Sequence, residues 1–244
     1  MTGRITLEIA AGSLASALAA QEGGADRVEL CENLGEGGCT PSLGTIAIAR
    51  ERLRIPLYVL IRPRGGDFCY DDAEREAMLR DIALCETLGC DGVVLGALDA
   101  QGAVDMATCR ALCSAAARLR VTFHRAIDVA ADPERALEDA IAMGCERVLT
   151  SGAQADALAG ADNIAAHVRQ ASGRIAVMAG AGIDAGTVAQ IVRRTGVREV
   201  HASARAPRPL APVSRPALAG LSPDVLQTDV ARVRALRQAL DALA

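Results

Sequence analysis

Short apolar runs alternate along this chain with longer stretches in which apolar residues recur at helical spacing. The short runs are Ile5 to Ala10, Arg27 to Cys31, Leu57 to Arg62, Gly92 to Gly96, Val121 to His124, Arg147 to Ser151, Ile175 to Ala179 and Glu199 to Ser203. Runs this short and apolar read as parallel strands covered on both faces, and the stretches between them as amphipathic helices. The helix boundaries carry matching chemistry. Asp132-Pro133-Glu134 supplies a capping side chain, a proline suited to the first helical position and an acid at the positive end of a helix. Gly89, Gly144 and Gly196 fall where helices must end, because glycine enters the left-handed conformation of a C-terminal cap without steric cost. Eight strand-helix units in 244 residues predict a single-domain α/β protein, a closed (β/α)8 barrel of the TIM type. The competing fold, an open doubly wound sheet, usually has fewer strands and a nucleotide crevice.

One segment breaks the rhythm. Residues 206–223 hold Pro207, Pro209, Pro212, Pro216 and Pro223, which preclude a regular helix and predict a mobile loop after the eighth strand. A helix over 224–242, with Leu226, Val230, Val233, Leu236 and Leu240 on one side, is expected to close the ring. At the amino terminus, Arg4 and the Ala-rich stretch to Ala20 superficially resemble a secretory leader, but Glu8 interrupts the apolar run and the residues read better as strand then helix.

Composition narrows the function classes. Aromatic residues make up only 2% of the chain and Trp is absent, so the core must be built from Ala, Leu, Val and Ile. A net charge of -4 with interspersed signs offers no basic field for nucleic acid or anionic lipid, and no run reaches the length of a membrane span. Eight cysteines scattered through helical patterns read as reduced thiols, which points to the cytoplasm.

Residue parity locates the chemistry, because side chains of a barrel strand alternate between interior and helix layer and active sites gather at the strands' carboxyl ends. Glu8 shares a face with Ala10, Glu29 with Cys31, Leu60 with Arg62, Thr122 with His124, and His201 with Ser203. Two carboxylates, an arginine, two imidazoles and a thiol are therefore expected at one mouth. They form either a structural network, Glu8 and Glu29 against Arg62, or a catalytic group. His167 lies on a helix and reads as solvated. In His124-Arg125-Ala126-Ile127-Asp128, the carboxylate of Asp128 can orient the imidazole or pair with Arg125. Arg62 and Arg64 precede a Gly65-Gly66 pair in a loop that clamps an anion or holds its own shape through Asp67 and Asp71. After the sixth, seventh and eighth strands come Ser151-Gly152, Gly180-Ala181-Gly182 and Ser203-Ala204-Arg205, where barrels often bind phosphate through backbone amides. Cys31, Cys39 and Cys69 fall near the same mouth and make a three-thiol metal site conceivable; Cys109 and Cys113, at helical spacing, read as packing residues.

Several strings are long enough to carry a resemblance: Gly23-Gly24-Ala25-Asp26-Arg27-Val28-Glu29-Leu30-Cys31, Gly37-Gly38-Cys39-Thr40-Pro41-Ser42, Ile61-Arg62-Pro63-Arg64-Gly65-Gly66-Asp67-Phe68, Val121-Thr122-Phe123-His124-Arg125-Ala126, Leu149-Thr150-Ser151-Gly152 and His201-Ala202-Ser203-Ala204-Arg205. Together they closely resemble the CutC family, named for copper homeostasis, nearly end to end. The resemblance implies a cytoplasmic TIM-type barrel, often a homo-oligomer, associated with Cu(I) as its metal. The family commonly has a cysteine in the first strand as a proposed copper ligand; here Ala10 stands in its place, and only Cys31 carries over. The glycine turn also departs, with Ala181 where a third glycine is usual. Two functions are thus expected side by side. One is a copper-binding homeostasis protein using Cys31 with Cys39 and Cys69. The other is an enzyme of proton-transfer, lyase or isomerase type acting on a small anionic or phosphorylated molecule, with Glu8, Glu29 or His124 moving protons. A vestigial barrel is the blander alternative.

Overall fold

The computed structural model describes residues 3–208 and 225–243. The chain runs β1 (Thr6–Ala11), α1 (Leu14–Glu22), β2 (Arg27–Leu30), α2 (Leu43–Arg52), β3 (Leu57–Leu60), α3 (Asp72–Thr87), β4 (Gly92–Leu95), α4 (Met106–Ala115), β5 (Arg120–Phe123), α5 (Pro133–Ala142), β6 (Arg147–Thr150), α6 (Ala161–Ala171), β7 (Ala176–Gly180), α7 (Val188–Thr195), β8 (Glu199–Ala202), β9 (Arg205–Pro207), β10 (Leu226–Thr228) and α8 (Val230–Asp241). Strands β1 to β8 are parallel neighbours, and β1 pairs with β8 to close the (β/α)8 barrel. The alternation of apolar runs and amphipathic helices is thus realised eight times. Asp132 caps α5 with Pro133 behind it, and Gly89, Gly144 and Gly196 all take positive φ at helix ends.

Parity divides the core in two. Leu7, Ile9, Val28, Leu30, Val59, Leu95, Phe123 and Val200 face the helices and join one large apolar cluster. The opposite parity faces the barrel axis, where Cys31, Tyr58, Leu60 and Val94 form a small separate cluster. Apolar burial in the outer layer, worth about 25 cal/mol per Å2, stabilises the barrel. Beside that small cluster, the axis holds buried polar side chains, among them Glu8, Arg27, Thr122 and Arg147.

The carboxyl end of the chain departs from expectation. Leu226, assigned to the apolar side of the closing helix over 224–242, instead lies in β10 and is 52% exposed. Strand β10 pairs antiparallel with β9, and Asp229 then accepts a hydrogen bond from the Arg232 amide, so the helix starts only at Val230. Ala206 and Pro207, the first residues of the expected loop, are part of β9; residues 209–223 of that loop lie outside the described residues. His167, expected in solvent, is buried on α6, and its Nδ1 has no partner among the described residues. Among the described residues no helix is long and apolar enough to cross a membrane.

Candidate functional site

Strand register places the charged groups. Glu8 sits beside Arg27 across the β1–β2 pairing and beside His201 across the β8–β1 pairing. Fully buried Glu8 therefore holds an ion pair with Arg27 Nε and a 2.7 Å hydrogen bond with His201 Nδ1. Burial opposes its charge, but these two partners keep the Glu8 carboxyl well below the usual range. Arg27 also reaches Glu199 Oε2 at 2.6 Å, and Arg147 approaches the same oxygen at 3.0 Å. Both guanidinium carbons lie 5.0 Å from the Tyr58 ring centroid, and the Tyr58 hydroxyl donates to Glu146 at 2.9 Å. This ring has room only because residue 92 is glycine: a Cβ there would lie 2.3 Å from Tyr58 Cε1. Such a network is satisfied group by group, as a polar barrel interior must be.

The expected network of Glu8 and Glu29 against Arg62 does not form. Arg27, Tyr58, Arg147 and Glu199 build it instead, and sequence reasoning passed over all four. The signal was parity, since Arg27 shares its face with Glu29 and Glu199 with His201. Charges at the first residue of a strand otherwise resemble ordinary solvated ends.

Above this floor opens a cavity of about 450 Å3 at the carboxyl ends of the strands. Of the expected residues it brings together Glu29, Arg62, His124, Arg125, Asp128, Gly182, His201, Ser203 and Arg205. Glu29 faces His201 Nε2 at 3.6 Å. Burial and the charge of Glu8 push the Glu29 carboxyl up to about 7, against the pull of His201 and Arg27. His201 is raised above an ordinary imidazole: burial disfavours its charge, but Glu29 and Glu8 more than offset that. Each of these two groups thus shifts the other's protonation, with both raised above their ordinary values.

On the other wall, Arg62 and His124 each keep one buried N–H without a partner among the described residues. Arg62 donates through Nη1 to the Glu36 and Gly38 carbonyls, both at 2.8 Å, and through Nη2 to Gly66 at 2.7 Å, while its Nε is unpartnered. Its guanidinium carbon rests 4.9 Å from the Phe68 ring centroid, and among the described residues no carboxylate pairs with it. His124 Nδ1 accepts from the Ala126 amide at 3.2 Å, which assigns the imidazole proton to Nε2, and that nitrogen is buried and unpartnered. Burial, with the nearby Arg62 charge, pushes His124 down to about 3, so it stays a neutral donor.

Other expected residues take different work. Asp128 pairs with Arg125 at 2.7 Å rather than with His124, and accepts from Thr150 Oγ1 at 2.5 Å, from the Ser151 amide and hydroxyl at 3.0 Å and from the Ala153 amide at 3.2 Å. Both of its oxygens are engaged in holding Arg125 and the loop after β6. Those same bonds engage the Ser151 amide, and Gly152 donates to Thr150 Oγ1 at 2.8 Å, so both amides already have acceptors. Gly180 is the last residue of β7, where an added Cβ would lie 2.5 Å from Leu149 Cδ1, so it is a packing glycine. Arg64 turns to Glu74 at 2.5 Å and to loop carbonyls, holding its loop in shape. The three thiols do not converge. Cys31 is buried with Sγ 3.7 Å from the Ala11 carbonyl, Cys39 bridges to Glu32 through its backbone, and exposed Cys69 donates to the Asp99 carbonyl at 3.3 Å. Among the described residues no group of three His, Cys, Asp or Glu side chains is arranged to hold a metal ion.

Comparison with known proteins follows from this geometry. The CutC family model matches residues 5–206. A CutC family protein of Xanthomonas campestris pv. campestris (strain B100) is 62% identical over 235 residues, spanning 96% of this chain and 98% of the relative. One from Chromobacterium violaceum is 52% identical over 241 residues, spanning 96% and 98%. The solved CutC structure from Streptococcus agalactiae, described as that of a candidate copper homeostasis protein, superposes with a TM-score of 0.78 at 34% identity, covering 82% of this chain and 98% of that one. Phosphoribosyl anthranilate isomerase from Thermotoga maritima, at 14% identity and a TM-score of 0.61 over 98% of this chain and 99% of that one, shares the fold alone.

Proposed function

The chain belongs to the CutC family, and from that premise we propose that its barrel is an enzyme of proton-transfer type acting on a small, oxygen-rich anionic metabolite. The observation that carries this reading is that Glu29, Arg62 and His124 line one cavity, and that the buried Arg62 Nε and His124 Nε2 have no partner among the described residues. Unsatisfied buried donors cost about 1–3 kcal/mol each unless a ligand completes them. A neutral imidazole N–H and a fixed guanidinium are suited to a carbonyl oxygen on which negative charge develops. Opposite them, a carboxyl raised to about 7 is half ionised at neutral pH and suited to act as a base.

In the reaction this assigns, Glu29 takes a proton from a carbon next to the carbonyl. The C–H electron pair moves into the new carbon–carbon bond, and the carbonyl pair moves onto the oxygen held by His124 and Arg62. Return of the proton to the former carbonyl carbon, while the neighbouring hydroxyl passes its proton to the oxygen held by His124 and Arg62 and becomes the new carbonyl, gives the isomer. His201, fixed by Glu8, steadies the ionised Glu29. A cavity of about 450 Å3 sits near the small end of the range for ligand pockets, which suits a metabolite and not a dinucleotide. The test is solvent exchange: wild type and Glu29→Gln are incubated in D2O with a panel of small hydroxy ketones and 2-hydroxy acids, and C–H loss is followed by NMR. Glu29-dependent exchange of one panel class is expected; no exchange with any member refutes the reading.

Copper binding is the function carried by the family's name. The donor set here does not fit it: Ala10 offers no ligand, and burial with the charge of Glu29 pushes the Cys31 thiol well up, away from the thiolate a copper ion requires. Anaerobic Cu(I) titration of wild type and Cys31→Ala decides between them. A tight site lost in the variant restores the copper function. The eight thiols, free in the structure, suit the cytoplasm, and the same reading includes assembly with like subunits, which light scattering measures.

A further inference from the structure

Beyond the wall that holds Arg62 and His124, the cavity has a second polar end that the proton-transfer chemistry does not use. It is built from the turns after β7 and β8. Gly182, Ile183 and Ser203 line the cavity, and among the described residues their backbone N–H groups meet no acceptor. The α7 helix start, by contrast, is already capped: the Asp184 carboxylate accepts from the Gly186 and Thr187 amides, both at 2.9 Å. Arg205 lines the same end, with its side chain half-buried and no carboxylate partner among the described residues. The nearby acid, Asp156, is turned to the Leu158 and Ala159 amides at 3.0 and 2.8 Å. The loop after β6, expected to contribute, has spent its amides on Asp128 and Thr150.

We infer that the Gly182, Ile183 and Ser203 amides, with Arg205, form a phosphate subsite, so that the metabolite is a phosphomonoester with its reacting carbonyl at the Arg62 and His124 end. Amides on two adjacent turns and one guanidinium beside them, all without an acceptor or carboxylate partner among the described residues, match the several acceptor oxygens of a dianion. The two ends also divide the labour. Phosphate supplies binding that does not change during reaction, while the opposite donors act on charge that develops only in the transition state. This inference deepens the reading above and rests on it for the identity of the reacting end alone.

The experiment is a calorimetric titration with two probes, inorganic phosphate and acetate, on wild type, Arg205→Ala, Arg205→Lys, His124→Ala and His124→Gln, with a thermal melt of each to show folding. Arg205→Ala is expected to weaken phosphate by at least about tenfold, or about 1.4 kcal/mol, with Arg205→Lys recovering part of the loss. Its acetate affinity stays at the wild-type value. His124→Ala weakens acetate, His124→Gln restores some of it, and both keep wild-type phosphate affinity. If Arg205→Ala binds phosphate as wild type does, or wild type binds none, the subsite is overturned while the reading of the opposite end stands. If instead only the acetate effects fail, that reading falls and the phosphate subsite survives.

Discussion

Replacing Arg27 by methionine removes the cation on which the barrel floor depends. The side chain is 8% exposed and holds Glu8, itself 1% exposed, together with Glu199. Glu199 retains Arg147, so the loss falls chiefly on Glu8, whose remaining partner is His201. Removing one member of a buried pair costs about 3–5 kcal/mol, because the other charge stays out of water unpaired. At about 2–4 °C per kcal/mol for a chain of this size, Arg27→Met lowers Tm by about 6–20 °C. The pH dependence is the sharper test. Glu8 has a folded pKa below its ordinary value of 4.5, so its ion pair contributes stability that is present above that pH and is lost as the pH falls through the folded value. Without Arg27 that contribution is missing, so variant and wild type differ most at pH 8 and converge under acid, where Glu8 protonates in the variant. Thermal melts and urea titrations at pH 8 and pH 4 measure both effects. An equal deficit at the two pH values, or a loss under about 2 °C at pH 8, refutes the view that an uncompensated Glu8 charge is the cause.

Three further outcomes are expected. Glu29, raised to about 7, gives stability that is present below its ordinary pKa of 4.5 and is lost as pH rises through 7, so Glu29→Gln gains on wild type at pH 8 in urea titrations and matches it at pH 4. Asp128→Ala strands the donors of Thr150, Ser151 and Ala153 at about 1–3 kcal/mol for each one left buried; faster hydrogen exchange confined to the Ser151 and Ala153 amides identifies the loop, and global acceleration contradicts it. Gly160→Ala would set a Cβ 1.8 Å from the Ser151 carbonyl oxygen and is expected to cost more than about 3 kcal/mol. Gly144→Ala, which meets nothing within 4 Å, pays only for its positive φ, about 1 kcal/mol; similar melts for the two would refute the contact argument.

The barrel was legible because its cause is local. Strand and helix periods differ, each apolar run declares its own covering, and Asp132, Pro133, Gly89 and Gly196 mark boundaries through their own backbone chemistry. Parity likewise brought Glu8, Glu29 and His201 to the axis and Arg62 and His124 to the mouth. The same logic failed at Leu226, which continues an apolar helical pattern; antiparallel pairing opposite Pro207, with Arg208 N–H donating to the Val225 carbonyl beside it, draws it into a strand.

Partnership is what the sequence could not supply. That Glu8 meets Arg27 and not Arg62, and that Asp128 holds Arg125 and the loop after β6 rather than His124, follows from strand register and loop closure across 19 to 25 residues. Those distances decide energies, since the same carboxyl group is strongly acidic at Glu8 and nearly neutral at Glu29 on the adjoining strand. Composition and periodicity therefore determined the architecture and the face on which chemistry sits. Only the tertiary structure decided which charges are neutralised and which buried donors lack a partner among the described residues, because electrostatic energy depends on separations of a few ångströms between residues that the chain order keeps apart.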